Sequence, residues 1–195
     1  MNPSMESEYL YTGERVEGMD LKPEALPCFM TTAFVMDDLT EVGKVYAKKG
    51  YTYGRTNNPN RTALAETITM LEGGAATDIF ASGMGAITSS LLALVEPGDH
   101  IVCNSAIYGE TYNVLGEIMP KCSVETTYAP LHDLEAAKAA IRPNTKIIYT
   151  EVVSNPTIRI ADIDGLAKLA HEAGAMLIVD NTFTSPFAIR PLDHG

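Results

Sequence analysis

Two periodicities alternate along the second half of the chain. Short apolar runs that read as buried strands occur at residues 77–81, 100–104, 123–128, 146–152 and 176–180. Between them lie segments whose apolar positions recur three and four residues apart. Met176, Leu177, Ile178 and Val179 form the plainest run, closed by the acid Asp180. Apolar runs of this length suit strands covered on both faces, and strands separated by helical segments predict βαβ units around a parallel sheet. Helices are predicted at 86–94, 108–119, 133–140 and 163–173. Glu96-Pro97-Gly98-Asp99 is a strong stop for the first, and Gly174 is placed to cap the last.

Upstream the texture changes. Residues 60–72 put Leu64, Ile68 and Leu71 on one helical face and close at Gly73-Gly74. Residues 1–59 hold scattered aromatics, several prolines and no sustained period, so they read as an extended arm suited to wrapping a neighbour. The expected division is therefore an arm, 1–59, and an α/β domain, 60–195, with no internal repeat and no low-complexity segment.

Composition narrows the partners. The 195 residues carry 14 basic and 25 acidic side chains, a net charge of −11, with no basic block. Nucleic acid and anionic membrane are poor partners for such a chain. The first twenty-two residues lack an apolar signal segment, and no run approaches membrane-spanning length. Cys28, Cys103 and Cys122 are odd in number and lack metal-ligand spacing, so they read as packed, reduced thiols of a cytoplasmic protein without a metal site.

Several segments carry candidate chemistry. Ala81-Ser82-Gly83-Met84-Gly85-Ala86-Ile87-Thr88 is a glycine turn between a predicted strand and a predicted helix. Free backbone amides and the positive end of the helix dipole make such a turn an anion site, most naturally for phosphate; a tight connection of small residues is the plainer alternative. A nicotinamide site fits less well, because the third glycine is absent and the next acid, Asp99, precedes the following strand. Tyr51-Thr52-Tyr53-Gly54-Arg55 offers aromatic hydroxyls and a guanidinium that matches phosphate. Tyr108 and Asn155 follow predicted strands at the edge where the glycine turn lies. A tyrosine there can stack on a planar ring or move a proton, and it can also simply pack. Asp180 ends a strand at the same edge, where open α/β sheets bind ligands. A buried carboxylate needs a partner, which a protonated pyridine nitrogen would supply.

As a set, in this order, Tyr51-Thr52-Tyr53-Gly54-Arg55, Asn58-Pro59, Ser82-Gly83-Met84, Tyr108-Gly109, Asn155-Pro156 and Val179-Asp180-Asn181-Thr182-Phe183 resemble the pyridoxal-phosphate enzymes of cysteine and methionine metabolism. The motifs span nearly the whole chain after residue 30. That family includes methionine γ-lyase, cystathionine γ-lyase, cystathionine γ-synthase and O-acetylhomoserine sulfhydrylase. The resemblance implies an aspartate-aminotransferase-like, fold-type-I large domain: a three-layer α/β sandwich with a mainly parallel sheet. It implies pyridoxal 5'-phosphate as cofactor, an amino-acid substrate and a homo-oligomer, a dimer at minimum and a tetramer by the family's habit. Gly83 and Met84 would hold the cofactor phosphate through their amides, with Ser82 adjacent. Tyr53 and Arg55 would reach the phosphate of the neighbouring subunit. Tyr108 would stack on the ring and assist proton transfer, Asn155 would contact the phenolic oxygen, and Asp180 would keep the ring nitrogen protonated.

Two departures accompany the resemblance. Glu110 stands where the family usually has Gly or, in methionine γ-lyases, Cys, which points to a shifted substrate preference or to a solvated acid at a helix start. None of the eight lysines lies in the Ser-x-Thr-Lys type segment that bonds the cofactor in this family, so the chain is expected to be the front part of a longer enzyme, without the small C-terminal domain. The leading expectation is a carbon-sulfur lyase acting by γ-elimination on methionine or cystathionine. Arg159-Ile160-Ala161-Asp162-Ile163 and Ile189-Arg190-Pro191-Leu192 favour that branch. The alternatives are γ-replacement, as in the sulfhydrylase or γ-synthase, and a non-catalytic member of the fold.

Overall fold

Four parallel strands, β1 (His100–Asn104), β2 (Glu125–Ala129), β3 (Thr145–Glu151) and β4 (Met176–Asp180), pair in the order β2-β1-β3-β4. The computed structural model describes residues 24–36, 38–48 and 50–195, so the first part of the predicted arm lies outside the described residues. The chain divides into two compact units, residues 1–79 and 80–195, and the sheet belongs to the second.

All of β1 is buried, as is all of β3 except Lys146, as expected of parallel strands covered on both faces. Side chains alternate between the two faces. Ile101, Cys103, Ile147 and Tyr149 join Leu91, Leu115 and Met119 in one core cluster. Val102 and Ile148 join Leu131, Ala137, Leu166 and Ala170 in the other. Helices thus cover both faces, giving the three-layer α/β architecture, and each fully buried Leu or Ile contributes about 1.5–3 kcal/mol relative to exposure.

The helices follow from local caps. In the first unit lie α1 (Leu39–Lys48) and α2 (Pro59–Glu72). Asn58 caps α2 by accepting the Asn60 amide at 2.8 Å, and Gly73 ends it at φ 67°, a left-handed conformation that favours glycine. In the second unit, α3 (Gly83–Leu94) is capped by Ser82, whose Oγ accepts the Gly85 amide at 3.0 Å. Next comes α4 (Gly109–Asn113), then α5 (Leu134–Ala140), capped by Asp133, and α6 (Ile163–Glu172), capped by Asp162. A short α7 (Ser185–Ala188) and a 3₁₀ turn (Pro191–His194) follow β4.

Three elements differ from expectation. Residues 77–81 join no strand among the described residues. An apolar run becomes a strand only when its backbone groups find a ladder, and no described strand offers one here. The segment 39–48, read as part of an extended arm, is helical, with Asp38 accepting the Glu41 amide at 2.8 Å as a cap. Its Leu39 and Tyr46 remain exposed, so no packed stripe announces it. The helix predicted over 108–119 is α-helical only as far as Asn113, then passes through a π turn (Val114–Ile118) and a 3₁₀ turn (Met119–Cys122). Pro120 lacks the amide that would bond the carbonyl of Gly116 four residues earlier, and the Met119 amide reaches back to Val114 instead.

Candidate active site

Parallel pairing brings the carboxyl ends of the strands to one edge, with Glu151 of β3 in register with Asp180 of β4. A cavity of about 390 Å³ opens there, lined by Ser82, Gly83, Met84, Ile87, Tyr108, Glu151, Val153, Asn155, Asp180, Thr182 and Phe183. Its size and its mixed apolar and polar lining suit a small organic ligand. A wider groove of about 670 Å³ in the first unit is lined by residues 57–79 and includes none of the predicted site residues.

The N-terminus of α3 forms one wall. Because Ser82 Oγ takes the Gly85 amide, the amides of Gly83 and Met84 are left without acceptors among the described residues. A Cβ on Gly83 would meet no atom within 4 Å. Neither packing nor a left-handed backbone demands glycine at that position, and its absent side chain leaves open space beside the free amides. At Gly85 the reason is different: a Cβ would stand 3.0 Å from the Ser82 hydroxyl and crowd the cap.

Two loops enter from the middle of the sheet. Tyr108 is the cap residue of α4 and remains 43% exposed, with its ring available to the cavity. Asn155 follows β3 in the turn that contains the cis Asn155-Pro156 peptide. Glu151 joins these loops: Oε1 accepts the Tyr108 amide and Oε2 accepts the Asn155 amide, both at 2.8 Å. Burial pushes the Glu151 carboxyl upward, the two amide bonds oppose that shift, and the nearby Asp180 charge adds to it.

Asp180 is held unequally at its two oxygens. Its Oδ1 accepts the Thr182 amide at 2.9 Å and the Thr182 hydroxyl, whereas Oδ2 receives the Tyr149 hydroxyl at a long 3.4 Å. Tyr149 is 1% exposed, and burial first, then the Asp180 charge, raises its hydroxyl well above the usual range, keeping it a donor. The cavity lining thus includes two acids and no Lys, Arg or His. A cationic ring nitrogen near Asp180 Oδ2 would balance that charge, as an anion at α3 would suit the free amides. The donor set therefore fits a ligand that is anionic at one end and a protonated heterocycle at the other, as pyridoxal phosphate is.

Ser82, Gly83, Met84, Tyr108, Asn155 and Asp180 are brought together in this one cavity. Tyr53 and Arg55 are not among its lining residues; they belong to the first unit, with the Arg55 guanidinium 5.2 Å from the Tyr53 ring centroid. Tyr53 bridges to Ala33, and a Cβ on Gly54 would lie 2.7 Å from the Thr31 carbonyl oxygen, so glycine is required for this close backbone approach. Glu110 lies in the first turn of α4, exposed, its Oε2 accepting from Asn113 Nδ2 at 3.5 Å. Sequence reasoning missed Glu151, Tyr149 and Thr182. Glu151 had a visible signal, an acid set inside the apolar run 146–152. Among the described residues no cluster of potential metal ligands occurs, and no helix is long and apolar enough to cross a membrane.

Comparison with known proteins is consistent with this geometry. The family model for Cys/Met metabolism PLP-dependent enzymes matches residues 7–195. The chain is 40% identical over 174 residues to an L-methionine gamma-lyase of Porphyromonas gingivalis, covering 88% of this chain and 44% of the relative. It is 44% identical over 146 residues to a cystathionine gamma-lyase of Bacillus subtilis, covering 75% and 38%. A solved structure from Campylobacter jejuni, described as an O-acetylhomoserine (thiol)-lyase with an N'-pyridoxyl-lysine-5'-monophosphate residue, superposes with a TM-score of 0.89 at 29% identity, covering 97% of this chain and 47% of that one. The chain thus spans less than half the length of the curated relatives it matches. With the fold-type-I α/β sandwich and a cavity that fits the cofactor, these matches show that the chain belongs to the Cys/Met metabolism family of PLP-dependent enzymes.

Proposed function

We propose that this protein is a carbon-sulfur lyase of sulfur amino-acid metabolism that eliminates the γ-substituent of methionine or cystathionine. The observation that supports it most is the convergence of the free Gly83 and Met84 amides, the Tyr108 ring and Asp180 Oδ2 on one cavity. The methionine and cystathionine γ-lyases among its relatives point to the same chemistry. When bound, pyridoxal phosphate supplies an electron sink for the carbanion formed at the substrate α-carbon.

The chain's own residues would then act as follows. Gly83 and Met84 donate their amides to the phosphate, aided by the α3 dipole, and the Ser82 hydroxyl, which accepts from Gly85, still has its proton to donate. Asp180 Oδ2 holds the proton on the ring nitrogen while Thr182 fixes Oδ1. Asn155 donates its side-chain amide to the phenolic oxygen. Tyr108 covers the ring face and moves a proton at the substrate. Tyr53 and Arg55 reach the phosphate of a neighbouring copy, which makes the working unit a homodimer at minimum, with a tetramer as the expected assembly. Met30, Val35 and Leu39 leave nearly whole apolar side chains exposed, which supports an arm that packs on a neighbour. A cytoplasmic location fits this chemistry.

A second reading, γ-replacement on O-acetylhomoserine, is supported by the likeness to the Campylobacter jejuni structure. Full-length protein supplied with pyridoxal phosphate and offered methionine, cystathionine, or O-acetylhomoserine with sulfide separates the two. Release of 2-oxobutanoate from methionine or cystathionine is expected. A new thiol product from O-acetylhomoserine alone would favour replacement, and no turnover of any of them by cofactor-loaded protein would overturn both.

A further inference from the structure

We infer that Glu151 is a positioning residue whose single carboxylate sets the relative placement of Tyr108 and Asn155 at the cavity. The inference rests on the reading of the cavity as the pyridoxal-phosphate site.

Glu151 is the last residue of β3, 6% exposed, and lines the cavity. It forms no ion pair among the described residues. A buried acid without a cation is costly and calls for a reason. The reason lies in its two acceptors. The loop after β1 presents the Tyr108 amide to Oε1, and the loop after β3 presents the Asn155 amide to Oε2, both at 2.8 Å. Both partners are N–H donors, and of side chains of this length only a carboxylate offers an acceptor to each. Glutamine would set its own N–H₂ against one of the amides, and aspartate, shorter by a methylene, could not reach both. Asn155 is only 4 positions from Glu151, but Tyr108 is 43 positions away, so the contact that ties its loop to the Asn155 loop is long-range.

The test measures the dissociation constant of pyridoxal phosphate for the apo form of the full-length protein. Glu151→Gln and Glu151→Asp are compared with the wild type, and each is repeated in a Tyr108→Ala/Asn155→Ala background. In the otherwise wild-type protein both substitutions are expected to weaken binding about 10-fold or more, and to lower kcat by about 100-fold as the ring is misplaced. In the double-alanine background, where nothing remains to be positioned, the same substitutions should change binding less than about 2-fold. A role limited to holding the fold would lower the melting temperature yet give equal factors in both backgrounds, and that result overturns the inference. So does binding by both variants within about 2-fold of wild type, the scatter expected of uncoupled sites. Should Glu151→Gln fail to fold, Glu151→Asp, which keeps the charge, carries the comparison alone. A wild-type protein that takes up no cofactor sinks the functional reading and this inference with it; normal uptake with unaffected variants sinks the inference only.

Discussion

The Tyr149 hydroxyl donates to Asp180 Oδ2 at 3.4 Å across the β3 and β4 strands. Tyr149 is buried, so its hydroxyl is shielded from solvent. The long distance leaves Oδ2 poorly satisfied, so it can take a stronger donor. Replacing Tyr149 with Phe should cost about 1 kcal/mol of stability, the usual value of a lost hydrogen bond. Thr182 continues to hold the other oxygen, so cofactor affinity should fall by at most about tenfold. Urea unfolding of the apo protein and a pyridoxal phosphate titration read the two effects separately. A loss of affinity far beyond that range would mean that Tyr149, and not Thr182, is the main support of Asp180.

Gly83→Ala separates binding from folding. The added methyl meets nothing in the chain, and glycine in a helix costs about 0.5–1 kcal/mol relative to alanine. The apo protein should therefore be as stable as wild type or slightly more so, while phosphate approach is hindered and cofactor affinity falls. Thermal unfolding of the apo protein alongside a cofactor titration checks both halves. Unchanged affinity would remove the phosphate from this helix terminus.

The buried His100 should make stability depend on pH. Its ring nitrogens lie 2.8 Å from the Thr145 and Thr127 hydroxyls, and the residue is fully buried. Burial first, then the Arg142 charge, lowers its pKa, with Glu125 opposing. The unfolded chain, with a pKa near 6.5, then binds a proton more readily than the native state. This contribution to stability is complete above about pH 6.5 and is lost as pH falls from there toward the depressed native value. Glu151, raised in the native state, acts in the opposite sense at lower pH. Urea midpoints of wild type and His100→Gln between pH 7.5 and 5, chosen to span the unfolded histidine value, should converge as pH falls. A constant gap between the two would show that His100 does not titrate differently on folding.

Much of the cavity was legible because its residues break a local pattern. Asp180 ends an apolar run, and Ser82-Gly83 interrupts the passage from an extended segment to a helix, so each signals itself within a few residues. Glu151 interrupts the run 146–152 from within, but its partners are backbone amides of two loops, and nothing in the sequence announces them. The strand expected at 77–81 failed for a related reason: Ile79 and Phe80 give it the right local texture, but pairing is a non-local property. The helix at 39–48 escaped because Gly43 and the β-branched Val42 and Val45 weaken its propensity, and its exposed Leu39 and Tyr46 form no buried face.

In the proposed mechanism Asp180 carries the charge that keeps a bound ring nitrogen protonated. Asp180→Asn keeps the shape and an acceptor for the Thr182 amide while removing that charge. In the full-length protein loaded with pyridoxal phosphate, kcat for 2-oxobutanoate release should fall on the order of 10²- to 10³-fold, as when a preorganised electrostatic partner is lost, with the cofactor still partly bound. Unchanged turnover in the Asp180→Asn protein would contradict the account.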